Sequence, residues 1–138
     1  MKEKIKTEKV LEPDRLYPHT RRVGNLLFLS GVGPRKYGTK VIPGVLVDGQ
    51  GNAVGHDIET QCHSVFENVR MILEEAGSSW RNLVDVTVFL TNLQRDYDTY
   101  NQVYCEYFQD NQPCRTTVEI TSLPTPIAIQ LKCIAIVK

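Results

Sequence analysis

The segment that ends the chain, Ile127-Ala128-Ile129-Gln130-Leu131-Lys132-Cys133-Ile134-Ala135-Ile136-Val137, has only Gln130 and Lys132 as polar side chains. A strand this apolar has almost no polar outer face to offer water, so it belongs at the centre of a sheet. The rest of the fold has to be arranged around it.

Two more strand signals and two helix signals surround that centre. Val84 to Thr91 alternates, with Val84, Val86, Val88 and Leu90 on one face and Asp85, Thr87, Phe89 and Thr91 on the other; such a strand turns its apolar face to helices. Val23-Gly24-Asn25-Leu26-Leu27-Phe28-Leu29-Ser30-Gly31 reads as a hairpin turning at Gly24-Asn25. Leu26 to Leu29 is apolar on both sides and is expected to be buried. Between about Asp57 and Ala76, Ile58, Cys62, Val65, Phe66, Val69, Ile72, Leu73 and Ala76 recur every three or four residues. They form one helical stripe, with Asp57 placed to cap its start and Gly77 to end it in the left-handed conformation. A second helix is predicted from about Tyr97 to Phe108, capped by Asp96, with Tyr100, Val103, Tyr104, Tyr107 and Phe108 inward. Arg115 to Thr121 and Ile127 to Val137 are the closing strands around Leu123-Pro124-Thr125-Pro126. Residues 1–19, broken by Pro13 and Pro18, read as an irregular lead-in, and residues 32–56 as loops around one or two short strands.

The order is strand pair, helix, strand, helix, strand pair. Two helices on one face of a mixed sheet make an α+β fold. The other sheet face then needs a cover that this chain does not contain, which predicts oligomerisation. With 138 residues the chain fits one domain, taken as 1–138 with residues 1–16 as lead-in.

Sixteen basic residues balance sixteen acidic ones. That balance argues against a general nucleic-acid binder, which carries a basic excess or stripe. Met1 to Lys9 is charged and lacks the apolar core of a signal peptide, and no apolar run approaches the roughly 20 residues of a membrane helix. A cytoplasmic protein without membrane partners is expected. Cys62, Cys105, Cys114 and Cys133 show no Cys-x-x-Cys spacing and read as free thiols.

Three segments carry a resemblance. They are the Val23–Gly31 hairpin with its Ser-Gly; Asn68-Val69-Arg70-Met71-Ile72-Leu73-Glu74-Glu75-Ala76-Gly77 followed by Val86-Thr87-Val88-Phe89-Leu90; and Pro113-Cys114-Arg115-Thr116-Thr117-Val118-Glu119-Ile120 with Leu123-Pro124. In order and spacing they resemble the Rid/YjgF family of enamine and imine deaminases, over nearly all of the chain from Tyr17. Tyr17-Pro18-His19-Thr20-Arg21-Arg22-Val23-Gly24, the longer loop through Pro43-Gly44-Val45, and Arg115-Thr116-Thr117-Val118 are similar to the 2-aminomuconate deaminase branch, and Thr117 stands where imine deaminases usually have Cys. The resemblance implies a chorismate-mutase-like fold and a homotrimer with sites between subunits. It also implies no metal or organic cofactor and a small-molecule carboxylate substrate.

The same resemblance assigns candidate residues. Arg115 is expected to hold the substrate carboxylate through two parallel N–H donors; read from the strand alone it is more readily a structural salt bridge. Thr117 shares its face and is a candidate to hydrogen-bond substrate or water, or else a β-former filling a pleat. Glu119, farther along, is expected to pair with a basic residue across the trimer. Gln130 stands where imine deaminases place a Glu that orients the hydrolytic water; Gln can hold a water but cannot take its proton. Tyr17 resembles the family's lid over the substrate. His19 is a candidate acid or base, or a packing residue, and Ser30, Gly31 and Phe89 are expected to line the cleft. His56, His63 and Cys114 have little claim on the site. Hydrolytic deamination is the leading reading. A non-catalytic carboxylate-binding protein is the alternative, and a ribonuclease or translation inhibitor, a label some members carry, is less favoured.

Overall fold

The computed structural model of the chain describes residues 2–5, 16–36 and 39–138. Its centre is the closing strand. β8 (Ile129–Ile136) lies between β3 (Leu26–Leu29) and β6 (Leu83–Leu90) in a six-stranded sheet. β2 (Thr20–Val23) and β1 (Lys2–Ile5) extend the sheet beyond β3, and β7 (Cys114–Glu119) forms the other edge. Among the described strands only β6 and β7 run parallel. A parallel neighbour needs a crossover, and α2 (Leu93–Tyr107) supplies it. A small second sheet, β4 (Val45–Val47) with β5 (Ala53–His56), occupies the loop-rich stretch.

Leu27, Leu29, Val86, Val88, Leu90, Ile129, Leu131, Cys133 and Ala135 face inward from the sheet. α1 (Ile58–Glu75) and α2 cover that face. Phe66 of α1 is the hub of this core, with ring contacts to Trp80, Tyr104, Tyr107 and Phe108. The opposite, open face carries Phe28, Asp85, Thr87, Phe89, Gln130, Ile134 and Ile136, all only part-buried, and the exposed Lys132. The two helices and the mixed sheet are those the periodicity predicts.

Four local expectations are corrected. Leu26 is 39% exposed and Phe28 is half-buried, because β3 buries only its helix side. Asp57 sits at the N-cap of α1 but its side chain caps no backbone amide; it accepts the Thr60 hydroxyl instead. The cap of α2 is Asn92, whose Oδ1 accepts the Arg95 amide at 2.9 Å. Asp96 falls one turn inside that helix, buried, with both oxygens on Arg95 at 2.8 Å. Finally, part of the predicted irregular lead-in is ordered: Lys2–Ile5 is a strand paired with β2, while the rest of it, up to residue 15, lies outside the described residues. The end of α1 follows expectation. Gly77 adopts φ +83°, and Ser78 and Gly77 donate to Leu73 and Glu74, closing the helix as a left-handed glycine allows.

Candidate active site

β7 is an edge strand, with no strand of the described residues paired to its outer flank. Its register against β6 places Arg115 beside Val86 and Thr117 beside Val88, both inward-facing positions. Arg115 and Thr117 therefore point to the helix side, where α2 presents Tyr100 and Tyr104 one turn apart. The Arg115 guanidinium carbon lies 4.7 Å from the Tyr104 ring centroid and 5.7 Å from that of Tyr100. Cation–π attraction and a hydrogen bond from Nη1 to Asn101 Oδ1 at 2.7 Å hold it there. The Tyr100 hydroxyl meets Thr117 Oγ1 at 2.7 Å and receives a long contact from Arg115 Nη1 at 3.4 Å.

No described carboxylate lies within ion-pair distance of this guanidinium. Its partners are neutral amide and phenol. Burial pushes the Tyr100 and Tyr104 phenols upward, so they stay protonated near neutral pH and the positive charge is not cancelled. Arg115 opens onto a pocket of about 550 Å³ that Asn101, Tyr104, Cys105 and Phe108 also line. The buried Tyr104 hydroxyl has no hydrogen-bond partner among the described residues. A standing cation beside aromatic walls suits a small planar anion.

Gln130 lies elsewhere. It projects from the open face, opposite Phe89 in register. A Cβ added to Gly31 would come within 2.9 Å of the Gln130 carboxamide, so Gly31 is the residue that lets this side chain lie against the loop after β3. Ser30 is tied to the N-terminal arm: its Oγ donates to the Pro18 carbonyl at 2.7 Å and its amide to that of His19 at 3.0 Å. His19 is buried and Tyr17 is 51% exposed. The predicted residues thus form two groups. Arg115 and Thr117 are on the helix side; Gln130, Phe89 and Gly31 are on the open side, with Ser30, next to Gly31, holding the arm at Pro18 and His19. The sheet separates Arg115 from Gln130 within one protomer.

Sequence reasoning missed Asn101 and Tyr104. Tyr104 falls in the core stripe, which it also serves, and the stripe gives no sign of Asn101. Glu119 has a local role: its Oε1 accepts the Leu93 amide at 2.7 Å, at the start of α2. His63 pairs with the Tyr107 hydroxyl at 2.8 Å, away from the pocket. Among the described residues no group of three or more His, Cys, Asp or Glu side chains is arranged to hold a metal, and no helix is long and apolar enough to cross a membrane.

Comparison with known proteins places these features in context. The model of the Endoribonuclease L-PSP family matches residues 7–137. A RutC family protein of Pyrococcus abyssi is 39% identical over 97% of this chain and 96% of its own. Reactive Intermediate Deaminase A of Arabidopsis thaliana, a chloroplast protein, is 33% identical over 97% of this chain and 65% of its own length. Among solved structures, E. coli TdcF with bound serine superposes with a TM-score of 0.81 at 27% identity, covering 99% of both chains.

Proposed function

This chain belongs to the Endoribonuclease L-PSP family, the Rid/YjgF proteins, and on that footing we propose that it is a hydrolytic deaminase of small enamine or imine carboxylic acids. The observation that carries the proposal is the unneutralised Arg115 guanidinium, fixed by Asn101 and Tyr104 at the mouth of a pocket. It would take the substrate carboxylate in a two-point grip. Water adds to the imine carbon, the C–N bond of the resulting carbinolamine breaks, and ammonia and a keto acid leave. Thr117, already bonded to the Tyr100 hydroxyl, and Gln130 are the side chains proposed to hold that water. The relative named a reactive intermediate deaminase and the related structure with bound serine, itself a small amino acid, support this substrate class.

The separation of Arg115 from Gln130 supports a site shared between subunits. In a homotrimer with the open sheet faces covered, Arg115 of one copy would meet Gln130, Phe89, Gly31 and Tyr17 of the next. A cytoplasmic location, the absence of a cofactor and the 2-aminomuconate branch belong to the same proposal; two carboxylates on that substrate give the branch its chemical content.

A second reading follows from Gln130, which cannot accept a proton: a non-catalytic protein that binds a small carboxylate. Calorimetry with an unreactive 2-keto acid, run beside an ammonia assay, separates the two. Binding with turnover supports the deaminase; tight binding without turnover supports the binding protein. A nuclease role is disfavoured by the balanced charge.

A further inference from the structure

Distance alone does not say which hydroxyl of the Tyr100–Thr117 pair, 2.7 Å apart, gives the proton. Their surroundings do. Tyr100 is fully buried. Its other hydrogen-bond neighbour among the described residues is Arg115 Nη1, at a long 3.4 Å, and a guanidinium only donates. If Thr117 donated as well, the Tyr100 proton would face no acceptor among the described residues, which carries the full desolvation penalty of a buried donor. Tyr100 therefore donates to Thr117 Oγ1. Burial keeps that phenol protonated at neutral pH, so the direction holds there. The Thr117 proton is then left over, because Oγ1 has no second partner among the described residues. Thr117 is part-buried and shares the face of Arg115, and the one phenol oxygen touches both. The pair thus presents a neutral donor beside the guanidinium.

We infer that Tyr100 is a positioning residue that fixes Thr117 as a hydrogen-bond donor, and that Thr117 holds the oxygen on the carbon next to the ligand carboxylate. The inference rests on the deaminase reading above and deepens it. In that hydrolysis an imine acid and water give a keto acid and ammonia. The oxygen that enters as water passes through the carbinolamine and leaves as the keto oxygen. It has a lone pair to accept with at each stage, and as a ketone it has no proton to give. A hydroxyl held as a donor can keep hold of it throughout, whereas one held as an acceptor would lose it at the ketone. The carboxylate and the adjacent oxygen of a 2-oxo acid match donors that stand on either side of one phenol oxygen. Tyr100, which the helical stripe places in the core, serves the site through Thr117.

The test is calorimetry with 2-oxobutyrate and butyrate, which differ in the C2 oxygen, on the full chain in its native assembly. Wild type should prefer 2-oxobutyrate by about fivefold, the scale of one hydrogen bond. In Thr117→Val, which keeps the shape and removes the hydroxyl, the ratio of the two affinities should fall toward one, and Thr117→Ser should restore it. Tyr100→Phe should lower the ratio part of the way, and adding it to Thr117→Val should change the ratio no further. A tyrosine that only fills the core would weaken both ligands alike and leave the ratio standing. Equal affinities in wild type, or a wild-type ratio in Thr117→Val or Tyr100→Phe, overturn the inference while leaving Arg115 as a carboxylate site. If neither ligand binds wild type, the proposed site and this inference fall together.

Discussion

Gly31 and Gln130 are in contact across the open face, so close that any Cβ at position 31 would come within 2.9 Å of the carboxamide. Gly31→Ala should therefore displace the Gln130 side chain rather than unfold the chain, because the clash is with the end of a flexible side chain. Turnover or 2-keto acid affinity should fall severalfold with a melting temperature close to wild type. Crystallography of the variant should find Gln130 in a new rotamer.

Arg115 is exposed and pairs with no acid among the described residues, so its removal should cost little stability. Arg115→Ala should weaken carboxylate binding by about tenfold or more. Arg115→Lys should recover the charge and not the paired donors, and remain well below wild type. Calorimetry with 2-oxobutyrate and a thermal melt on the same samples check both halves.

Asn101 Oδ1 is 2.7 Å from Arg115 Nη1. Asn101→Ala leaves the guanidinium on the tyrosine rings without its lateral anchor. Affinity should fall by a smaller factor than in Arg115→Ala, and the double variant should be no worse than Arg115→Ala alone. Such non-additivity is the mark of one residue acting through another.

Burial pushes the Cys62 and Cys133 thiols up to about 12, with desolvation the leading cause for each. At neutral pH a native protein titrated with a thiol reagent should label Cys105 and Cys114, which are exposed, and spare the other two until denatured. The linkage has a sign. These thiols are neutral when folded and ionise more easily when unfolded, so their contribution is full below the ordinary value of about 9.0 and is lost as pH rises through about 12. Denaturant midpoints should decline above pH 9.

The closing strand, both helices and the Gly24-Asn25 hairpin were legible because each follows from a period of two or of 3.6, or from a turn residue with one main use. The start of α2 was not. Asp96 and Asn92 are both good caps; the Glu119 carboxylate accepts the Leu93 amide and the Asp96 carboxylate is taken by the Arg95 side chain, which leaves Asn92 as the cap. Arg115 was found through its sequence context, whereas Asn101 is fourteen residues away and joins it only once α2 crosses over to β7. Nothing in the sequence order reveals that Arg115 and Gln130 leave opposite faces of one sheet. That fact needs the strand order β8-β6-β7 and its register.

Coverage of the open face is expected to occur by self-association. Light scattering should give three times the 15.7 kDa of one chain. Ile134→Asp, which adds a charge to that face beside Asp85 and Lys132, should shift the mass toward one chain and reduce carboxylate binding with it.

The central claim is tested most directly by ammonia release from a freshly generated 2-iminoacid and from 2-aminomuconate, with wild type and Arg115→Ala side by side. The account predicts release above the uncatalysed rate with wild type on at least one substrate, and its loss in Arg115→Ala. No release above background on either substrate, or equal release by the two proteins, would contradict it.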